Sequence, residues 1–120
     1  MRRFASILLL CLCAHFTASF FSAGEKQHSI ATVNAADLPE EARQTIALIK
    51  QGGPYPYKKD GSVFGNFERV LPFHERGYYK EFTVPSPGSR GRGARRIIVG
   101  KAGELYYTDN HYASFRRVLE

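Results

Sequence analysis

Tyr78-Tyr79-Lys80-Glu81-Phe82-Thr83-Val84 is built of aromatic and β-branched residues interleaved with charge, and strand alternation sends Tyr79, Glu81 and Thr83 to one face and Phe82 and Val84 to the other. The apolar pair marks the face that needs a cover, which leaves Glu81 on the opposite, open face. Residues 95–99, 105–108 and 115–119 share this composition and are separated by turn signals, so an antiparallel meander is expected. Upstream, residues 63–72 read as a short strand or loop in which Gly65 and Asn66 suit an unusual backbone conformation. If Val99 faces the core with Phe82, parity places Arg96 on the open face beside Glu81. Such a pair on an exposed sheet is by itself worth well under ~1 kcal/mol.

The cover comes from one helix. In Asp37-Leu38-Pro39-Glu40-Glu41, Asp37 is suited to cap, Pro39 to the first turn, and the glutamates to the helix dipole. Ala42, Ile46 and Ile49 recur at helical spacing and Gly52-Gly53 supplies the stop. Pro54-Tyr55-Pro56-Tyr57 then forbids regular structure and Lys58-Lys59-Asp60-Gly61 forms a turn. The fold class is therefore α+β, one N-terminal amphipathic helix packed on a small antiparallel sheet.

The 120 residues allow at most one domain. Met1-Arg2-Arg3 followed by an apolar run from Ile7 has the pattern of a secretory signal peptide, assigned to residues 1–23. Ser22-Ala23-Gly24 offers a cleavage site and Val33-Asn34-Ala35 a more distant alternative. Residues 24–36, polar and without period, read as a flexible leader, and residues 37–120 as the folded domain. Both cysteines, Cys11 and Cys13, lie in the signal, so the exported product has no disulfide and depends on packing. The formal charge of +6 falls to +4 on removal of residues 1–23, which favours an anionic partner.

Chemistry is concentrated in three places. Gly88-Ser89-Arg90-Gly91-Arg92-Gly93-Ala94-Arg95-Arg96 combines fixed charge and planar donor forks with glycines that allow close backbone approach, a pattern suited to phosphate. His111 sits on a turn before the last strand, and an imidazole can both give and take a proton. Glu81 supplies a carboxylate. No metal-ligand spacing accompanies them, and neither a metal nor a cofactor is expected. A base, an acid and fixed positive charge suffice for metal-free phosphodiester chemistry, and RNA, unlike DNA, carries an internal nucleophile in its 2′-hydroxyl. A non-catalytic basic module for nucleic acid or membranes is the competing class. It has no use for a carboxylate at the centre of an anion site.

Tyr78 to Val84, Pro87 to Ile98 and Tyr106-Tyr107-Thr108-Asp109-Asn110-His111-Tyr112, taken together, resemble the bacterial guanyl-specific ribonucleases, the barnase-type microbial family. The resemblance begins at Leu38-Pro39 and runs to the last strand. It implies a secreted endoribonuclease that cuts single-stranded RNA 3′ of guanosine through a 2′,3′-cyclic phosphate. By the same resemblance Glu81 is general base, His111 general acid, Arg92 and Arg96 hold the phosphate, and Tyr112 stands beside it. Arg90 and Arg95 have no counterpart and read as solvated or structural. Residues 64–68 correspond to the base loop, with Phe64 for stacking, backbone donors at Asn66 and Phe67, and Glu68 accepting the paired donors of guanine. Gly65 and Phe67 depart from the family, in which a polar residue and an arginine often stand there. Single-stranded RNA is the expected partner, with an acidic inhibitor protein of the barstar type as a second. The processed chain is expected to be a monomer without stable membrane association.

Overall fold

The computed structural model describes residues 29–120. The signal segment and the start of the leader lie outside the described residues. Strand β1 spans Ala31–Asn34, a 3-10 turn Ala35–Asp37, helix α1 Glu40–Gln51, and strands β2 to β6 Ser62–Phe64, Tyr79–Thr83, Arg96–Gly100, Leu105–Thr108 and Arg116–Leu119. They form one six-stranded sheet in the order β1-β6-β5-β4-β3-β2. β2 to β6 pair antiparallel, and β3 to β6 are the expected meander.

Two expectations are corrected. The leader does not stay free up to residue 36, because Ala31 to Asn34 add a parallel strand to the β6 edge, with Val33 opposite Val118 and packed on the core. The sheet is thus mostly, not wholly, antiparallel, and the folded unit starts before residue 37. The signal was hidden because a four-residue strand is too short to show a period. Asp37 does not cap the helix either. It ends the 3-10 turn, and extended Leu38, constrained by the following proline, separates it from a helix whose N-cap is Pro39. The C-terminus is as read: Gly52 is left-handed, and the amides of Gly52 and Gly53 both donate to Leu48 O at 3.0 Å.

The sheet has a core on each side. On the helix side Ala42 and Ile46 meet Val84, Ile97, Leu105, Tyr107 and Val118, with Ile49 and Val99 at the margin. Phe82 shares this parity and packs against Tyr55, ring centroids 4.9 Å apart. The face expected to be open is half covered: Leu71, Tyr79, Ile98, Tyr106 and Phe115 form a second cluster beneath the long loop between β2 and β3. Asp60 fastens the end of β3, accepting from the Thr83 amide at 2.8 Å, while Gly61 N donates to Glu81 O at 2.8 Å.

Candidate active site

What the second cluster leaves uncovered is a cavity of about 540 Å³ lined by Phe64, Gly65, Asn66, Phe67, Glu68, Glu81, His111, Tyr112 and neighbouring apolar residues. The acid, the base and the base-recognition loop expected from sequence therefore share one hollow. Arg92 and Arg96 are not among its lining residues and reach it through others, Arg92 bonding Glu81 and Arg96 bonding Tyr112.

Glu81 stands on β3, whose pairing puts it opposite Ile98, and Thr83 opposite Arg96. Parity thus sets Glu81 and Arg96 on one face, as read, but they do not pair. Arg92 donates from Nη2 to Glu81 Oε1 at 2.8 Å and from Nε to Thr83 Oγ1 at 3.0 Å. The other carboxylate oxygen accepts from the Tyr112 hydroxyl at 2.8 Å. The Arg96 side chain instead turns inward. It is 2% exposed, donates from Nε to Tyr112 Oη at 3.1 Å, and from Nη1 to the carbonyls of Arg95 and Gly93 at 2.8 and 3.0 Å. A buried guanidinium so satisfied fixes the arginine loop against the sheet and keeps its charge beneath the cavity. Burial, reinforced by the Glu81 carboxylate that accepts its proton, pushes the Tyr112 hydroxyl above the usual tyrosine range.

His111 is exposed at the cavity rim. It and Tyr112 both take left-handed φ, 54° and 71°. Local lacing holds this unusual turn: Thr108 Oγ1 accepts from Tyr112 N at 3.2 Å, and Asn110 Oδ1 accepts from Ser114 N at 3.0 Å. The His111 amide donates to Ala94 O at 2.9 Å, so the histidine turn is bonded to the arginine loop. Thr83, Thr108 and Asn110 are contributors that sequence reasoning did not single out; for Thr83 the signal was available, since it shares the Glu81 face.

The base loop is held from within. Asn66, at φ 50°, donates from Nδ2 to Leu71 O at 2.9 Å and accepts from Leu71 N at 3.1 Å. Its side chain is thereby occupied, which leaves the loop backbone for a ligand. Phe64 stacks on Tyr112 at 5.1 Å and 22° and forms the cavity wall. Glu68 lines the hollow and Phe67, 85% exposed, stands at its lip. The two departures in this loop are coupled: a Cβ on Gly65 would lie 2.4 Å from the Phe67 ring, so the ring sits where a side chain would be. Arg95 serves structure, donating to Ser86 Oγ at 3.0 Å and to Pro85 O and lying 3.8 Å from Glu41 on the helix. Arg90 is exposed. Among the described residues no group of three or more His, Cys, Asp or Glu is placed to hold a metal ion.

A sequence profile of the ribonuclease family matches residues 21–119. Guanyl-specific ribonuclease St of Saccharopolyspora erythraea is 56% identical over 87 residues, 72% of this chain and 86% of that protein. Guanyl-specific ribonuclease Sa of Kitasatospora aureofaciens is 55% identical over 85 residues, 70% of this chain and 88% of that protein. Ribonuclease Sa2, solved in complexes with mononucleotides, superposes with a TM-score of 0.75 at 48% identity, covering 76% of this chain and 95% of its own. A further structure of ribonuclease Sa2, bound to guanosine-2′-cyclophosphate, gives a TM-score of 0.72. With this coverage and identity, on a fold whose helix, sheet and cavity have just been described, the chain belongs to the guanyl-specific ribonuclease family of microbial RNases.

Proposed function

We propose that this protein is an exported endoribonuclease that cleaves single-stranded RNA 3′ of guanosine without a metal. The observation that carries the reading is the carboxylate of Glu81, gripped on both oxygens and sharing one cavity with His111 and the 64–68 loop. Glu81 takes the proton of the 2′-hydroxyl, whose oxygen attacks the adjacent phosphorus. His111, protonated, gives its proton to the departing 5′ oxygen. The product is a 2′,3′-cyclic phosphate. Its hydrolysis follows with the roles exchanged, His111 taking a proton from water and Glu81 returning one to the 2′ oxygen. Arg92 and Arg96 supply fixed positive charge that needs no reorganisation as charge builds on the phosphoryl oxygens.

Selectivity rests on Glu68, whose carboxylate can accept both N1-H and N2-H₂ of guanine, a donor pair that adenine lacks. Such a bidentate contact discriminates by about 1–3 kcal/mol. Backbone donors at Asn66 and Phe67 face the guanine O6, and Phe64 contributes an aromatic wall.

The test is turnover of GpC and ApC by the purified protein in EDTA. Cleavage of GpC well ahead of ApC, with the cyclic phosphate as first product, is the expected result. Salt-sensitive RNA binding without turnover, unchanged in Glu81→Gln, would overturn it in favour of a binding module.

A further inference from the structure

Beyond the cavity, the loop between β2 and β3 exposes two large aromatic side chains, Phe67 at 85% and Phe73 at 74%. Isolated exposed apolar residues are ordinary. These two are not isolated, because each carries a guanidinium over its ring: Arg76 Cζ lies 5.8 Å from the Phe67 centroid and Arg69 Cζ 5.5 Å from that of Phe73. Neither arginine makes an ion pair among the described residues. His74, next to Phe73 in the chain, stacks on Tyr78 at 3.6 Å and 6°. Glu75 is the one carboxylate in residues 69–78.

The patch is fixed to the base loop by a single side chain. Asn66 bonds Leu71 in both directions and reaches Pro72 O at 3.5 Å, so the residues before Phe73 are tied to those before Phe67. Tyr79 adds a hydroxyl donor to Pro72 O at 2.7 Å. Phe67 belongs to both places, since its ring lies over Gly65 at the lip of the cavity and under Arg76 on the patch.

We propose that Phe67, Phe73, Arg69 and Arg76 form an auxiliary subsite for a nucleotide flanking the cleaved guanosine on the same single strand, an inference that rests on the ribonuclease reading of the cavity. An aromatic face binds any base, and a guanidinium beside it meets the accompanying phosphate, so the subsite lengthens the RNA contact without reading sequence. Charge and position select RNA over an apolar partner: both rings are flanked by cations, and the patch continues directly from the lip of the substrate cavity.

The test compares steady-state cleavage of GpC with that of AAAGC and GCAAA, extended on the 5′ and 3′ sides. At least one extension should lower KM, and Phe73→Ala/Arg76→Ala should remove that gain by about tenfold while kcat on the extended RNA is kept. Anisotropy with the 2′-deoxyguanosine analogues of AAAGC and GCAAA reads the same loss without turnover, so failure of catalysis on GpC would strike the ribonuclease reading and leave the subsite decided by binding. The proposal falls if neither extension lowers KM or tightens binding, if the double variant keeps the gain, or if it loses GpC and the longer RNAs equally. Anionic phosphatidylglycerol vesicles bound through the patch, with RNA unaffected by the double variant, would reassign it to membranes.

Discussion

The Arg92 guanidinium holds Oε1 of Glu81 at 2.8 Å, in the place where strand parity alone would have put Arg96. The two arginines thus divide the work: Arg92 faces the carboxylate with its side chain 24% exposed, and Arg96 is a buried strut. Arg92→Ala takes one of two donors from a Glu81 carboxylate that is only 13% exposed and is expected to cost about 1–2 kcal/mol of stability. Arg96→Ala takes the donor from the Gly93 carbonyl, removes one of the two partners of the Tyr112 hydroxyl and empties the space of a buried guanidinium, and is expected to cost about 3 kcal/mol. Urea unfolding of the two variants checks the contrast; both should lose turnover.

Glu81→Gln preserves the shape of the carboxylate but cannot accept a proton, and His111→Ala removes the acid. Each is expected to lower kcat on GpC by about 10² to 10⁴. Single-turnover measurement of cyclic phosphate formation reads both directly.

Gly65 and Phe67 should behave as one unit. Gly65→Ala drives a methyl into the Phe67 ring, whereas the same change in a Phe67→Ala background no longer meets the ring atoms that stand nearest to it. A double-mutant cycle on the KM for GpC is expected to show coupling of about 0.5–3 kcal/mol. Additivity would mean that the ring moves aside freely.

Burial pushes the hydroxyls of Tyr79, Tyr107 and Tyr112 upward. A raised folded-state pKa means that the native state keeps protons which the unfolded chain releases above the ordinary tyrosine value of about 10. The associated stability is complete below that pH and is lost as pH climbs through the folded values. Thermal midpoints should therefore fall steeply above about pH 10, and less steeply in Tyr107→Phe, with ultraviolet titration showing late ionisation.

Removal of residues 1–35, a cut after Ala35, deletes β1 and withdraws Val33 from the core. A chain starting at Ala36 is expected to be about 1–3 kcal/mol less stable than one starting at Gly24. Melting of the two purified forms checks the difference, and mass spectrometry of the protein expressed from its full sequence checks whether and where it is cut.

The strands and their faces were legible because period-two alternation is strong in residues 78–84, and the helix because Ala42, Ile46 and Ile49 keep its period. The Glu81–Arg92 pairing was not, since Arg92 lies in a glycine-rich loop whose path no periodicity constrains. β1 was missed because its stability comes from Val118 and the β6 edge, at the far end of the chain. His111 was a candidate acid from its imidazole alone, whereas Glu68, next to Arg69, looked like half of a surface ion pair. The guanine contact proposed for Glu68 came through family resemblance, and the fold brings both residues to the same cavity.

The bond from the His111 amide to Ala94 O joins the histidine turn and the arginine loop across a single main-chain contact. Heat that frays either segment must release the other. Inactivation on warming should then follow one exponential, with no interval in which the molecule grips RNA firmly but cuts it poorly.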